Sequence, residues 1–216
     1  MTKDIKLFGA DYGFQLLCPL TYKNIEIGAS SYDDSRWAFG DLIVEPFVLG
    51  WHKQNYDVIA AIAFFLPTGD HDDLVDPGED MLTTLLTLGA TYYIDKPKTW
   101  AASILGRYEI HHDEYRDTDI TPGDDFHFEW ALSKTVAQVW EIGMVGYCQW
   151  QVTQDSGSLS TNHKDRGFAI GPEICMYYPQ MKVSFSLRSE FEFSVRGDAW
   201  GRAEGNRTVL TIIKIF

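Results

Sequence analysis

The sequence predicts an all-β fold, a single antiparallel up-and-down transmembrane β-barrel of about ten strands spanning residues 1–216. Three observations predict it. Strand-like stretches run roughly ten to fifteen residues, about twice a usual globular strand, long enough to cross a bilayer obliquely. The breaks between them alternate between tight and long. Within them apolar and polar residues alternate with a period of two.

Each stretch is delimited by Pro, Gly and Asp/Asn clusters. Connections fall at 51–56, 67–80, 95–98, 113–123, 135–138, 154–166, 179–181 and 196–205. Every second one is tight. The others are polar and about ten residues or more, which is the asymmetry of a barrel with short turns on one side and long loops on the other. Counting back from Phe216 gives nine strands to Ala38, and residues 5–30 add at least one more. An even number places both chain ends on one side.

Alternation is clearest in three stretches. Trp100, Ala102, Ile104, Gly106, Tyr108 and Ile110 oppose Thr99, Ser103, Arg107, Glu109 and His111. Phe126, Phe128, Trp130 and Leu132 oppose Asp125, His127, Glu129 and Ser133. Val183, Phe185, Leu187, Phe191 and Phe193 oppose Lys182, Ser184, Ser186, Arg188, Glu190 and Glu192. Strand length and loop sorting assign the apolar face to lipid rather than to a soluble core.

Composition narrows the class. The chain is 14% aromatic, with 7 Trp, 11 Tyr and 13 Phe, as barrels anchored at lipid interfaces are. Trp51, Tyr56, Tyr92, Tyr93, Trp100, Trp140, Tyr177 and Tyr178 cluster near the short turns and are expected to form a girdle there. Mean hydropathy is −0.19, and the longest apolar run, Val58 to Leu66, has 9 residues, about half of a spanning helix. A net charge of −13 argues against a nucleic-acid partner, which needs a Lys/Arg footprint. Cys18, Cys148 and Cys175 have no CxxC spacing and read as free thiols.

The first residues, Met-Thr-Lys-Asp-Ile-Lys, carry no apolar signal-peptide core. An exported barrel needs one, so the expectation is a processed, engineered or 5′-truncated chain, with an N-terminally truncated twelve-stranded barrel as the alternative count. The last strand, 209–216, closes on Phe216 and resembles the C-terminal signal that barrel-assembly machinery reads.

A run of local patterns resembles one family. Phe65-Leu66-Pro67-Thr68-Gly69-Asp70, Arg107-Tyr108-Glu109-Ile110, Asp117-Thr118 with Pro122-Gly123-Asp124, Trp140 through Gly143-Met144-Val145-Gly146-Tyr147 to Gln151-Val152-Thr153, and Gly171-Pro172-Glu173 occur in its order. It is the meta-pathway phenol-degradation family of outer-membrane proteins, and the resemblance runs from about Gly40 to the C-terminus. It implies a porin-like barrel of a Gram-negative outer membrane that passes aromatic or other hydrophobic compounds, in contact with lipid and a small-molecule solute. No catalytic or binding residue is carried over from it.

The polar face supplies the site. With the 113–123 loop centred on Thr118, Arg107 falls opposite Glu129 and Glu109 opposite His127; a turn at 179–180 sets Arg188 opposite Glu173. With Glu141, Gln149, Gln151, Glu190 and Glu192 these residues are expected to line an acidic lumen favouring cations or neutral solutes. No catalytic residue, cofactor or metal ligand is expected. His111 and His112 are adjacent on a strand and point to opposite faces, so they cannot serve one site together. The acidic stretch 70–80 lacks the calcium-loop spacing and reads as a solvated loop. Two rivals remain: a barrel-embedded lipase or protease using His127 as general base, and a soluble lipocalin-like binder with its apolar face inward.

Overall fold

The computed structural model describes residues 2–27, 32–116, 118–160, 163–197 and 204–215. Thirteen antiparallel strands and no helix lie among them. They are β1 (Thr2–Leu7), β2 (Ala10–Leu17), β3 (Leu20–Ile27), β4 (Tyr32–Phe39), β5 (Leu42–His52), β6 (Tyr56–Leu66), β7 (Thr83–Tyr93), β8 (Trp100–His111), β9 (Asp125–Val136), β10 (Trp140–Gln151), β11 (Arg166–Tyr178), β12 (Val183–Arg196) and β13 (Asn206–Lys214). Eleven form one sheet in the order β1-β2-β5 through β13, and β3-β4 make a separate hairpin.

The strand count corrects the expectation of about ten. Nine strands from β5 to β13 follow the sequence breaks closely, but the first forty residues hold four strands where at least one was expected. The cause is turn chemistry. β1 and β2 are joined through Phe8 at φ 51° and Gly9 at φ 76°, a reversal with both residues left-handed. Asn-Gly or Asp-Gly normally marks such a turn; Phe-Gly does not. The sheet is also open among the described residues, with β1 and β13 at its edges. Phe216, the expected terminal signal, and Asp117 lie outside the described residues.

Connections sort as expected. Short turns after β5, β7, β9 and β11 gather at one end of the sheet, and the longer segments after β6, β8, β10 and β12 at the other. β5 to β12 have 11 to 14 residues each, whereas β1 to β4 have 6 to 8. The wall is built of long strands, and the chain enters it through short ones.

The sheet curls with its polar face inside. A flat sheet would hold β9 and β12 about 14 Å apart, yet Arg188 on β12 reaches Glu129 on β9 at 3.7 Å. Arg207 on β13 likewise lies over the Tyr147 ring of β10 at 5.5 Å. The convex face is apolar and exposed, with Leu88, Ile104, Ile142, Leu187 and Leu210 between 47% and 65% accessible. A water-soluble sheet buries that face. Here the hydrophobic residues look outward and charged ones look in.

Aromatic rings band the convex face at both ends. Tyr56, Tyr92, Trp100 and Trp140 are exposed at the short-turn end, but Tyr93 departs from the expected girdle and turns inward to donate to Asp57 at 2.7 Å. A second band, Phe126, Trp150, Phe168 and Phe193, runs across β9 to β12 at the long-loop end, with centroids 5.4 to 6.3 Å apart. Trp140 and Trp150 mark the two bands on β10. Their separation is about 33 Å along an extended strand, or about 25 Å in height at a tilt near 40°. That height matches the apolar band of outer-membrane barrels.

Candidate functional site

The concave face divides in two. The middle of β5 to β8 presents the small or apolar Gly50, Ile59, Ala61, Gly89 and Leu105, in register across neighbouring strands, with His52 and Asp57 on the same face toward the short-turn end. On β8 to β13 the face is charged. The two halves border a common cavity of about 450 Å³, where Ile59 and Leu105 stand with Glu129 and Arg188.

Register in the charged half differs from the expectation. Arg107 pairs with His127, Leu105 with Glu129 and Glu109 with Asp125, because the loop is centred one residue earlier than Thr118. Moving the centre by one shifts the register by two, which preserves which face each side chain occupies. The expected contacts therefore survive diagonally: Arg107 Nη1 donates to Glu129 Oε1 at 2.9 Å, and His127 Nδ1 lies 3.7 Å from Glu109. Glu173 and Arg188 do pair in register and meet at 3.2 Å.

Arg188 is the hub. It approaches Glu129 and Glu190 as well as Glu173, and Glu190 in turn accepts from Arg207 Nη2 at 2.6 Å. Glu190 is only 1% exposed. Exposed pairs of this kind contribute about 0.2–1 kcal/mol each. Removing one partner of a buried carboxylate costs more, about 3–5 kcal/mol, because the charge is left unmatched.

Of the residues read from the sequence, Arg107, Glu109, His127, Glu129 and Gln149 line one cavity of about 290 Å³. Tyr147 and Arg207 complete it and were missed. Tyr147 shares the inner face with Gln149 and Gln151 and donates to Glu192, a polar use of a residue type that aromatic composition alone assigns to the lipid interface. Arg207 lies on β13 opposite Glu190, and no tight turn in the sequence between β12 and β13 fixes that register. Gln151 sits apart, donating to Asp155 in a second polar cavity of about 200 Å³. Glu141 is exposed beside the 137–139 turn at the far end of β10. Across the network five carboxylates, Glu109, Glu129, Glu173, Glu190 and Glu192, outnumber Arg107, Arg188 and Arg207. Cys18, Cys148 and Cys175 are free thiols.

Over the long-loop end, residues 67–82 are folded rather than solvated, which corrects the reading of the acidic stretch. Val75 and Asp76 are fully buried and Asp41 is 7% exposed. Asp41 accepts from the backbone of Thr68, Gly69 and Glu79. Asp76 takes a two-pronged hydrogen bond from Arg36 of the β3-β4 hairpin, with Nε at 2.7 Å. That guanidinium holds the Asp76 carboxyl below the ordinary carboxylate range. Arg116, from the loop after β8, ties down the carbonyls of Asp73, Asp76 and Gly78 at 2.7 to 3.1 Å. Three segments distant in sequence thus form one cap.

The comparisons with known proteins agree with this geometry. The family described as "Putative MetA-pathway of phenol degradation" matches residues 1–211, so the likeness extends over the first forty residues as well. A crystal structure of an outer membrane channel from Pseudomonas putida F1 superposes with a TM-score of 0.78 at 15% identity, over 94% of this chain and 76% of that one. Among curated proteins none matches.

Proposed function

The chain belongs to the family of the MetA pathway of phenol degradation, and from that premise we propose that it is an outer-membrane β-barrel acting as a passive channel for small compounds. The observation that carries the reading is the inversion of the wall: exposed apolar residues outside, a charge network inside. Lipid is the solvent that favours such a face. Barrel closure belongs to the proposal. Eleven strands, each antiparallel to the next, leave β1 and β13 running the same way, so an antiparallel closure takes one further strand, for an even total.

Arg107, Glu109, His127, Glu129, Glu141, Gln149, Gln151, Glu173, Arg188, Glu190 and Glu192 are the proposed lumen lining. An apolar side facing a charged one suits solutes with an aromatic or aliphatic body and a neutral or cationic polar group. The excess of carboxylates over arginines disfavours anions. No reaction is assigned.

Planar-bilayer recording tests this. The purified protein is expected to give discrete conductance steps with weak cation selectivity. Changing Glu190→Gln and Glu192→Gln together is expected to reduce the cation-to-anion permeability ratio about twofold. Silence of correctly folded protein with every solute would sink the channel reading and leave a sealed barrel.

A further inference from the structure

At the long-loop end of the wall three side chains converge on the inner face. Glu109 and His111 are two apart on β8, and Asp125 begins β9 directly opposite Glu109. One ligand atom from each lies within 4.8 Å of the others. His111 Nε2 is 3.8 Å from Asp125 Oδ2, too long for a hydrogen bond. It is close to the separation of two ligands on a shared ion, since nitrogen and oxygen at about 2.1 Å from a tetrahedral centre stand about 3.4 Å apart.

The second ring nitrogen of His111 fixes how the first is presented. Nδ1 is 3.0 Å from the hydroxyl of Thr83, a residue only 4% exposed. With Nδ1–H donated to that oxygen, the Nε2 lone pair faces the carboxylates. A ring held through its outer nitrogen is how metal-binding histidines are oriented. The His111 side chain is itself 8% exposed, so few alternative rotamers compete.

Charge and access agree. Glu79, from the cap, stands within electrostatic range of both His111 and Glu109. Two carboxylates therefore stand beside the imidazole and a third acts on it electrostatically from the cap, while Arg107 is engaged by Glu129. Glu109 opens onto the lumen cavity and Asp125 onto the polar cavity beside Gln151. The cluster is thus bordered by two polar cavities.

We propose that Glu109, His111 and Asp125 form a binding site for a divalent transition-metal ion of the zinc class at the mouth of the barrel. A nitrogen ligand beside two carboxylates selects such ions over magnesium or calcium, which prefer all-oxygen sites. The ion cross-links β8 to β9 and removes negative charge from the mouth.

Calorimetric titration of Zn²⁺ into the detergent-folded full chain tests the site directly, without reference to conductance. One equivalent is expected to bind, with magnesium in equal amount failing to compete. His111→Ala and Asp125→Asn are each expected to weaken binding about tenfold or more. His112→Ala, whose ring contacts Thr84 on the outer face, is expected to leave it unchanged. Should His111→Ala fail to fold, Glu109→Gln carries the same expectation. No uptake of zinc, or uptake indifferent to the inner-face substitutions, overturns the proposal.

Discussion

Glu190 and Phe191 are neighbours on one strand, yet the carboxylate is 1% exposed and the aromatic ring 51%. In a water-soluble sheet the order would be reversed, because burying apolar area is the main favourable contribution to folding. On the proposed reading, the two faces of the same wall meet two solvents. What the contrast teaches is that a substitution should be judged by the face it enters, not by its chemistry alone.

The largest expected effect comes from placing the same residue on both faces of β8. Ile104→Arg puts a guanidinium on the outer face and is expected to lower the stability of the lipid-folded protein by about 2–4 kcal/mol. Ser103→Arg, one residue earlier, enters the charged interior and loses only the hydrogen bond to Thr91, about 1 kcal/mol. Urea titration of vesicle-folded protein measures both. Equal costs would erase the distinction between the faces.

A smaller effect tests how closely the wall is packed at its charged side. At Gly171 an added Cβ would stand 1.7 Å from the Ser189 carbonyl oxygen and 2.9 Å from the Glu190 Cα. Gly171→Ala forces β11 from β12 where the ionic hub sits. A loss of about 1–3 kcal/mol in the same titration is expected.

The cap is expected to respond locally. Asp76→Asn removes the charge that Arg36 engages and should speed proteolytic cleavage within residues 67–82 on the order of tenfold, with the strand wall intact. Acid should act in the same direction. A carboxyl whose folded pKa lies below its unfolded value stabilises the fold above about pH 4 and loses that contribution as pH falls through the depressed value. With an acid-tolerant protease, moving from pH 7 to pH 3 should therefore raise cleavage more in the wild-type chain than in Asp76→Asn.

The wall was legible because its signals are periodic and local. Alternation from 100 to 111, the Pro and Gly breaks, and sorted turn lengths each report a neighbour relation along the chain. The cap was not, because Arg36, Asp76 and Arg116 are brought together by tertiary packing of three segments, and an acid-rich stretch reads as solvated unless its partner is known. β1 and β2 were obscured by a Phe-Gly turn. Within the candidate site, Arg188 with Glu173 was placed correctly by a tight turn, whereas the longer 112–124 loop left register uncertain by two residues. The His111 and Asp125 cluster follows from that register and matches no sequence spacing.

The central claim is that the apolar face of the wall meets lipid and the charged face meets water. Thiol labels at position 104 (Ile104→Cys) and position 149 (Gln149→Cys), each in a background with Cys18, Cys148 and Cys175 replaced by Ser, test it in vesicles containing brominated acyl chains. The label at 104 is expected to be quenched by the lipid and shielded from aqueous iodide, and the label at 149 to show the opposite. Quenching of both labels by iodide alone, or by lipid at 149 instead, would contradict the account.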